Sequence, residues 1–174
     1  MPTMTAPASD GRAPSSGEKL MIYVEAPAPF PLSSQRSLFL AGGITGCPDW
    51  QQEMITLLTS TDLMVLNPRR QQFPIHDPSA AQAQITWEYR AFRAVDAISF
   101  WFPCETLCPI VLYELGAWAM QATPIFVGCH PDYKRRQDVE IQLSLERPSI
   151  QVVATVTELA EQVLDWHHSE RGYP

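Results

Sequence analysis

From Leu38 onward, short apolar runs alternate with longer segments of helical periodicity, and this alternation limits the fold more than any other feature of the chain. Parallel strands need a crossover of a dozen or more residues between them, usually a helix, so the pattern predicts βαβ units and a mostly parallel sheet. The predicted core strands are SLFLAGG, LMVLNP, AISFWF, PIFVG and IQVVAT. After the first, Trp50, Met54, Leu57 and Leu58 recur at i, i+4, i+7 and i+8 behind Pro48, as one face of a helix requires. Ser79 and Gln82 form a capping-box signature for a helix running to about Val95, and Pro109 opens another. Thr155 with Glu158 caps a last helix whose Leu159, Val163 and Trp166 face the core. Val139, Ile141, Leu143 and Leu145 alternate as a strand would, but the fold needs a crossover there, so a helix is expected.

The expected fold class is therefore α/β: a flavodoxin-like three-layer sandwich with a five-stranded, mostly parallel sheet. LMIYVEAP, a β-branched and aromatic run ended by prolines, supplies an extra N-terminal edge strand. A chain of 174 residues with 45% hydrophobic content sustains one well-buried core, which places a single domain over residues 20–174. Residues 1–19, rich in Pro, Ser, Ala and Gly without apolar periodicity, read as a disordered tail.

Net charge of -7 and a pI near 5.0 argue against a nucleic acid polymer as partner and leave a small molecule. The N-terminus lacks a basic start followed by an apolar core, and no run approaches the roughly 20 apolar residues of a membrane span, so a soluble, cytoplasmic protein without a membrane partner is expected. Cys47, Cys104, Cys108 and Cys129 show no C-x-x-C pairing and read as reduced thiols. With His130 they match no zinc spacing, so no metal is expected.

Two carboxylates are out of place. Glu114 is the only Asp, Glu, Lys or Arg between Thr106 and Pro131, and a carboxylate that leaves water needs a partner or a chemical role. Glu88 falls in a stripe with Ala81, Ile85 and Phe92 at helical spacing. Taken alone, each reads first as an acid whose tip reaches water, Arg90 or Arg93. Together they flank the crevice beyond the carboxyl ends of the strands, where open α/β sheets bind ligands. Paired carboxylates in a cleft suit cleavage of a glycosidic bond, one attacking the anomeric carbon and the other protonating the leaving group. Trp87, Trp101, Phe102, Tyr113 and Trp118 suit stacking on a base, although at these spacings each is more often simply core. Arg69 and Arg70 follow the second core strand and read either as a clamp for a 5′-phosphate or as a solvated pair. Lys134, Arg135 and Arg136 read as a solvated loop, and AGGITG lacks the Lys of a Walker loop.

FLAGGIT, NPRR, ITWEYRAFRAVDAISFWFP, PIVLYELGAWA and YKRRQDVEIQ resemble, in order and spacing, the nucleoside 2-deoxyribosyltransferase-like family, especially its branch with W-E and F-W-F-P motifs. The resemblance spans roughly Leu38 to Trp166. It implies a flavodoxin-like fold and an enzyme that cleaves the N-glycosidic bond of a nucleoside or nucleotide, by transfer or hydrolysis, without a cofactor. It further implies that Glu114 is the nucleophile that forms a covalent glycosyl-enzyme, that Glu88 is an active-site acid, and that Asp96, eight residues on, is structural. Gly42 and Gly43 match small residues that allow close ligand approach. Two positions depart from the pattern: Phe39 stands where several members have a tyrosine that orients the nucleophile, and Cys108 stands where base-exchanging members have an aspartate. Glu105 or Thr106 then takes over base recognition. The resemblance also implies a homo-oligomer, with the C-terminal ERGYP reaching a neighbouring pocket. The alternative is a binding module of the same fold that senses a nucleotide without turnover.

Overall fold

A computed structural model of the chain describes residues 20–74 and 76–169; the expected tail and the ERGYP segment lie outside the described residues. In chain order the elements are β1 (Ile22–Glu25), β2 (Ser37–Gly42), α1 (Trp50–Leu58), β3 (Met64–Asn67), α2 (Ser79–Ala94), β4 (Ala97–Phe102), α3 (Pro109–Ala119), β5 (Ile125–Cys129), α4 (Arg136–Glu146), β6 (Val152–Val153) and α5 (Val156–His168).

The strands form one six-stranded sheet in the order β1-β3-β2-β4-β5-β6, parallel at every pairing. Its centre is the pair β2 and β4, in register from Leu38 opposite Ala97 to Gly42 opposite Trp101. Both strands are buried along their whole length, which is why they read as continuous apolar runs rather than as alternating ones. The pleat still sorts their side chains. Leu38 and Leu40 pack with Trp50, Met54, Leu159 and Val163 of α1 and α5, while Phe39 and Ala41 pack with residues of α2, α3 and α4 on the other face. Three layers result, with β1 as the expected edge strand beside β3.

Local expectations meet the structure unevenly. Thr155 and Glu158 make both halves of the capping box of α5. At α2 the box is absent: Pro78 occupies the cap position, and the Ser79 hydroxyl donates to Asp77 Oδ1 (2.7 Å). The buried stripe of α2 is Ala80, Trp87, Ala91 and Phe92, with Ile85 65% exposed, so the helix is turned from the expected face toward the one that seats the Trp87 indole against Phe39. In α1, Gln51 is buried and Leu57 is not, and Asp49 caps the helix by accepting from Gln52 N–H. The 139–145 region is the expected helix, with Val139 and Leu143 inward and Ile141 and Leu145 exposed. No helix among the described residues is long and apolar enough to cross a membrane.

Candidate active site

The chain leaves β2 through α1 on one face of the sheet and returns from β3 through α2 on the other, so the crossovers part beyond the carboxyl ends of β2 and β4. A cleft of about 300 Å³ opens at that point. The end of β2 and the loop after it form one wall, from Phe39 to Thr45; Glu88 of α2 and Pro68 form another; Thr106, Cys108 and the first turns of α3 as far as Glu114 form the third.

Glycine is required in this wall by packing behind it. A Cβ on Gly42 would lie 2.5 Å from the Trp50 ring and 2.6 Å from the Trp101 carbonyl oxygen, and one on Gly43 would lie 2.7 Å from Pro103. The close approach is thus to the protein's own side chains, while the backbone faces the cleft. The Gly43 carbonyl oxygen accepts from Trp50 Nε1 (2.9 Å) and Gln51 Nε2 (3.3 Å), which fixes the loop to α1.

The third wall depends on a turn at Cys108, a non-glycine residue with φ of 47°. Left-handed backbone is costly for such a residue, about 1–2 kcal/mol, and is held here by its surroundings. Pro109 begins α3 immediately afterwards, and Tyr133 Oη donates to the Leu107 carbonyl oxygen (2.8 Å), tying the preceding loop down. Burial pushes the Cys108 thiol up to about 11, so it faces the cleft as a neutral group.

Glu88 and Glu114 meet in this cleft. Both are half-buried. Glu88 Oε1 accepts from Gln84 Nε2 (2.7 Å), which also donates to the Pro68 carbonyl oxygen. Burial raises the Glu88 carboxyl above the ordinary range, and the Gln84 hydrogen bond partly offsets this. Glu114 accepts no hydrogen bond from the described residues. Its carboxyl is pushed up to about 8, by burial first and by the charge of Glu88 second. Burial thus holds both carboxyls above the ordinary range, and a charge on either one disfavours a charge on the other.

The other expected binding residues are placed unequally. Gly42 and Gly43 line the cleft. Arg69 stands at its rim but donates to the carbonyl oxygens of Ile44 (2.9 Å) and Pro48 (3.0 Å) and pairs with Asp49 (3.5 Å), bracing the loop after β2. Arg70 lies over the Phe73 ring at 5.3 Å. Trp87 and Phe102 are core residues rather than stacking surfaces: the Trp87 indole is 6% exposed and donates to the Ala28 carbonyl oxygen, and Phe102 is fully buried against Tyr133. Tyr113 is 76% exposed and makes no hydrogen bond to Glu114 among the described residues, as a one-residue step of about 100° around the helix requires. Glu105 is exposed outside the lining, and its neighbour Thr106 is inside it. Asp96 accepts from Ser37 N–H and Oγ, both at 2.8 Å, at the amino ends of β2 and β4, far from this chemistry. Sequence reasoning missed Ile44, Thr45, Pro68 and Ile110 as lining residues; their position directly after strands or at a helix start is the signal that marks them.

A wider groove of about 530 Å³ runs between α3 and α4, where Arg135 pairs with Asp138 (3.6 Å) and Glu146 is the other charged residue of the lining. Among the described residues, no group of His, Cys, Asp and Glu is arranged to hold a metal ion.

Comparison with known proteins agrees with this geometry. A solved structure described as a conserved protein from Enterococcus faecalis V583 superposes with a TM-score of 0.53 at 14% identity, covering 76% of this chain and 99% of that one, a likeness of fold. No curated protein matches the chain. The family model described as "Nucleoside 2-deoxyribosyltransferase like" matches residues 35–133, which run from before β2 to beyond β5 and contain every residue of the cleft. The chain therefore belongs to the nucleoside 2-deoxyribosyltransferase-like family.

Proposed function

We propose that the protein is an enzyme that breaks the N-glycosidic bond of a nucleoside or nucleotide by double displacement at Glu114. The observation that carries this reading is the convergence of Glu88 and Glu114, from different helices, on one cleft at the carboxyl ends of the central strands. In the first step the Glu114 carboxylate attacks C1′ and the base departs; in the second, water or an acceptor base displaces Glu114. Glu88 donates a proton to a departing neutral base and takes one from the incoming nucleophile. Retention at C1′ follows from two inversions. No step calls for a cofactor.

The four cysteines are free, which suits a reducing compartment such as the cytoplasm. A homo-oligomer is proposed from the family resemblance and from the uncharged, exposed face of α3. A second reading, a nucleotide-sensing module without turnover, is favoured by one observation: no donor among the described residues reaches the Glu114 carboxylate, so nothing there offsets the burial that raises it.

One experiment separates the two. Purified protein is incubated with nucleosides and 5′-nucleotides and a free base, and released or exchanged base is measured by chromatography. Intact mass after reaction with a 2-fluoro nucleoside should show one sugar added, mapped to the peptide containing Glu114, because the fluorine slows turnover of the glycosyl-enzyme. Binding without release or adduct supports the sensing module and refutes the enzyme.

A further inference from the structure

Among the described residues, every side chain that lines the cleft is neutral or acidic: Glu88 and Glu114 supply charge of one sign, and no Lys, Arg or His joins them. The guanidinium groups that follow β3 are engaged elsewhere, Arg69 on loop carbonyls and Asp49, Arg70 over Phe73. A phosphoester entering this cleft would meet two carboxylates, opposed by about half a positive charge at the start of α3 and by a rim guanidinium, Arg69, that Asp49 already pairs.

The second observation is that no donor among the described residues reaches the Glu114 carboxylate, while Gln84 donates to Glu88. Release of a neutral base needs a proton on Glu88 and a negative charge on Glu114. Burial works against that negative charge on Glu114. With the nearby Glu88 it pushes the carboxyl up to about 8. A base with a fixed positive charge removes the conflict: its field favours ionisation of both carboxylates, and it leaves without needing a proton.

We propose that this cleft selects nucleosides without a 5′-phosphate whose base carries a fixed positive charge, such as pyridinium N-ribosides or N7-alkylated purine ribosides. The proposal rests on the reading of the cleft as a nucleoside site. In the reaction, the Glu114 carboxylate forms a bond to C1′ while the C1′–N bond breaks, and both electrons of that bond return to the ring nitrogen, so the base departs neutral. Water then adds to C1′, its proton passes to Glu88, and Glu114 leaves as a carboxylate. The sum is cationic nucleoside plus water giving free sugar, neutral base and one proton.

Calorimetric titration of the full chain with nicotinamide riboside and with its uncharged dihydro form varies charge at nearly constant shape, and 7-methylguanosine against guanosine repeats the comparison on a purine. In each pair the cation should bind about tenfold or more tightly. Glu88→Gln, with its fold checked by circular dichroism, should remove much of that preference, and nicotinamide mononucleotide should bind more weakly than the riboside. Equal affinity within the pairs, preference for the neutral forms, or no binding of either cation would overturn the proposal. Chromatography of the same samples keeps the two claims apart. Cation-selective binding without base release sustains the selectivity and sinks the proposed reaction; release from neutral nucleosides with no preference for cations does the reverse.

Discussion

At the scale of single residues, the behaviour of Glu114 follows from what surrounds it and what does not. Burial and the neighbouring Glu88 raise its carboxyl to about 8, and no donor among the described residues counters them. Two outcomes are expected. If the ionised form is the nucleophile, kcat/KM should rise with pH along a limb centred near 8 in the free enzyme, and Glu114→Gln should abolish turnover at every pH. Stability should move in the opposite sense. A carboxyl raised in the folded state contributes stability that is present at low pH and is lost as pH rises through its folded value, because ionisation is easier in the unfolded chain. Glu114→Gln, which cannot ionise, should therefore raise the melting temperature relative to wild type at pH 9, and the difference should shrink toward pH 4; thermal scans at both values decide it. Phe39 offers a gain-of-donor test. It lines the cleft and packs on Phe92 at 4.4 Å between centroids. Phe39→Tyr adds a phenol oxygen at this wall, and a hydrogen bond from it to Glu114 should shift the ascending limb of the pH–rate profile to lower pH. An unmoved limb would mean that the hydroxyl does not reach the carboxylate.

At the scale of elements, Arg69 shows how a loop is held, a use that neither reading of the sequence, phosphate clamp or solvated pair, contained. Its acceptors on Ile44 and Pro48 lie 25 and 21 residues away along the chain, so no local pattern announces them. As the brace of the loop after β2, it should matter for any ligand of the cleft: Arg69→Ala should weaken use of a nucleoside and of its 5′-phosphate to a similar degree, by about 1.5–3 kcal/mol as expected for hydrogen bonds to a charged group. A loss confined to the phosphorylated substrate would restore the clamp. Glu88 and Glu114 were legible because a carboxylate among apolar residues is a local anomaly. Trp87 and Phe102 were not, since spacing places an aromatic on a face without saying whether its ring meets solvent or core. Helix ends divide in the same way. Thr155 and Glu158 satisfy each other and are readable as a unit, whereas the hydroxyl of Ser79 is captured by Asp77, two residues earlier, and Pro78 holds the cap position. In α4, the inward pair Val139 and Leu143 is four residues apart, a spacing that helix and strand share, and only the demand for a crossover decides between them.

At the scale of the whole molecule, that demand is what made the sheet legible: once β2, β3, β4 and β5 are each followed by a helix, parallel pairing leaves few orders open. What the single chain leaves unresolved in physical terms is the outer face of α3. Ile110, Tyr113 and Met120 are 67%, 76% and 72% exposed, Leu107 just before the helix is 48% exposed, and Glu114 is the only charged residue of α3. At Gly116 an added Cβ would meet nothing within 4 Å, which leaves room for a close approach. Burying a large apolar side chain fully contributes about 1.5–3 kcal/mol, while association costs an estimated 4–15 kcal/mol in lost freedom, so one or two such residues would not suffice and a symmetric contact, which counts each twice, would. Ile110 also lines the cleft, so a second copy docked on α3 would stand at its mouth. Light scattering coupled to size exclusion should therefore report a dimer or larger assembly. Tyr113→Glu with Met120→Glu places charge on the face and should shift the protein to monomer while leaving its circular dichroism unchanged. If the neighbour completes the pocket, that monomer should also lose turnover. A wild-type protein that is monomeric and fully active would show that this face has another use.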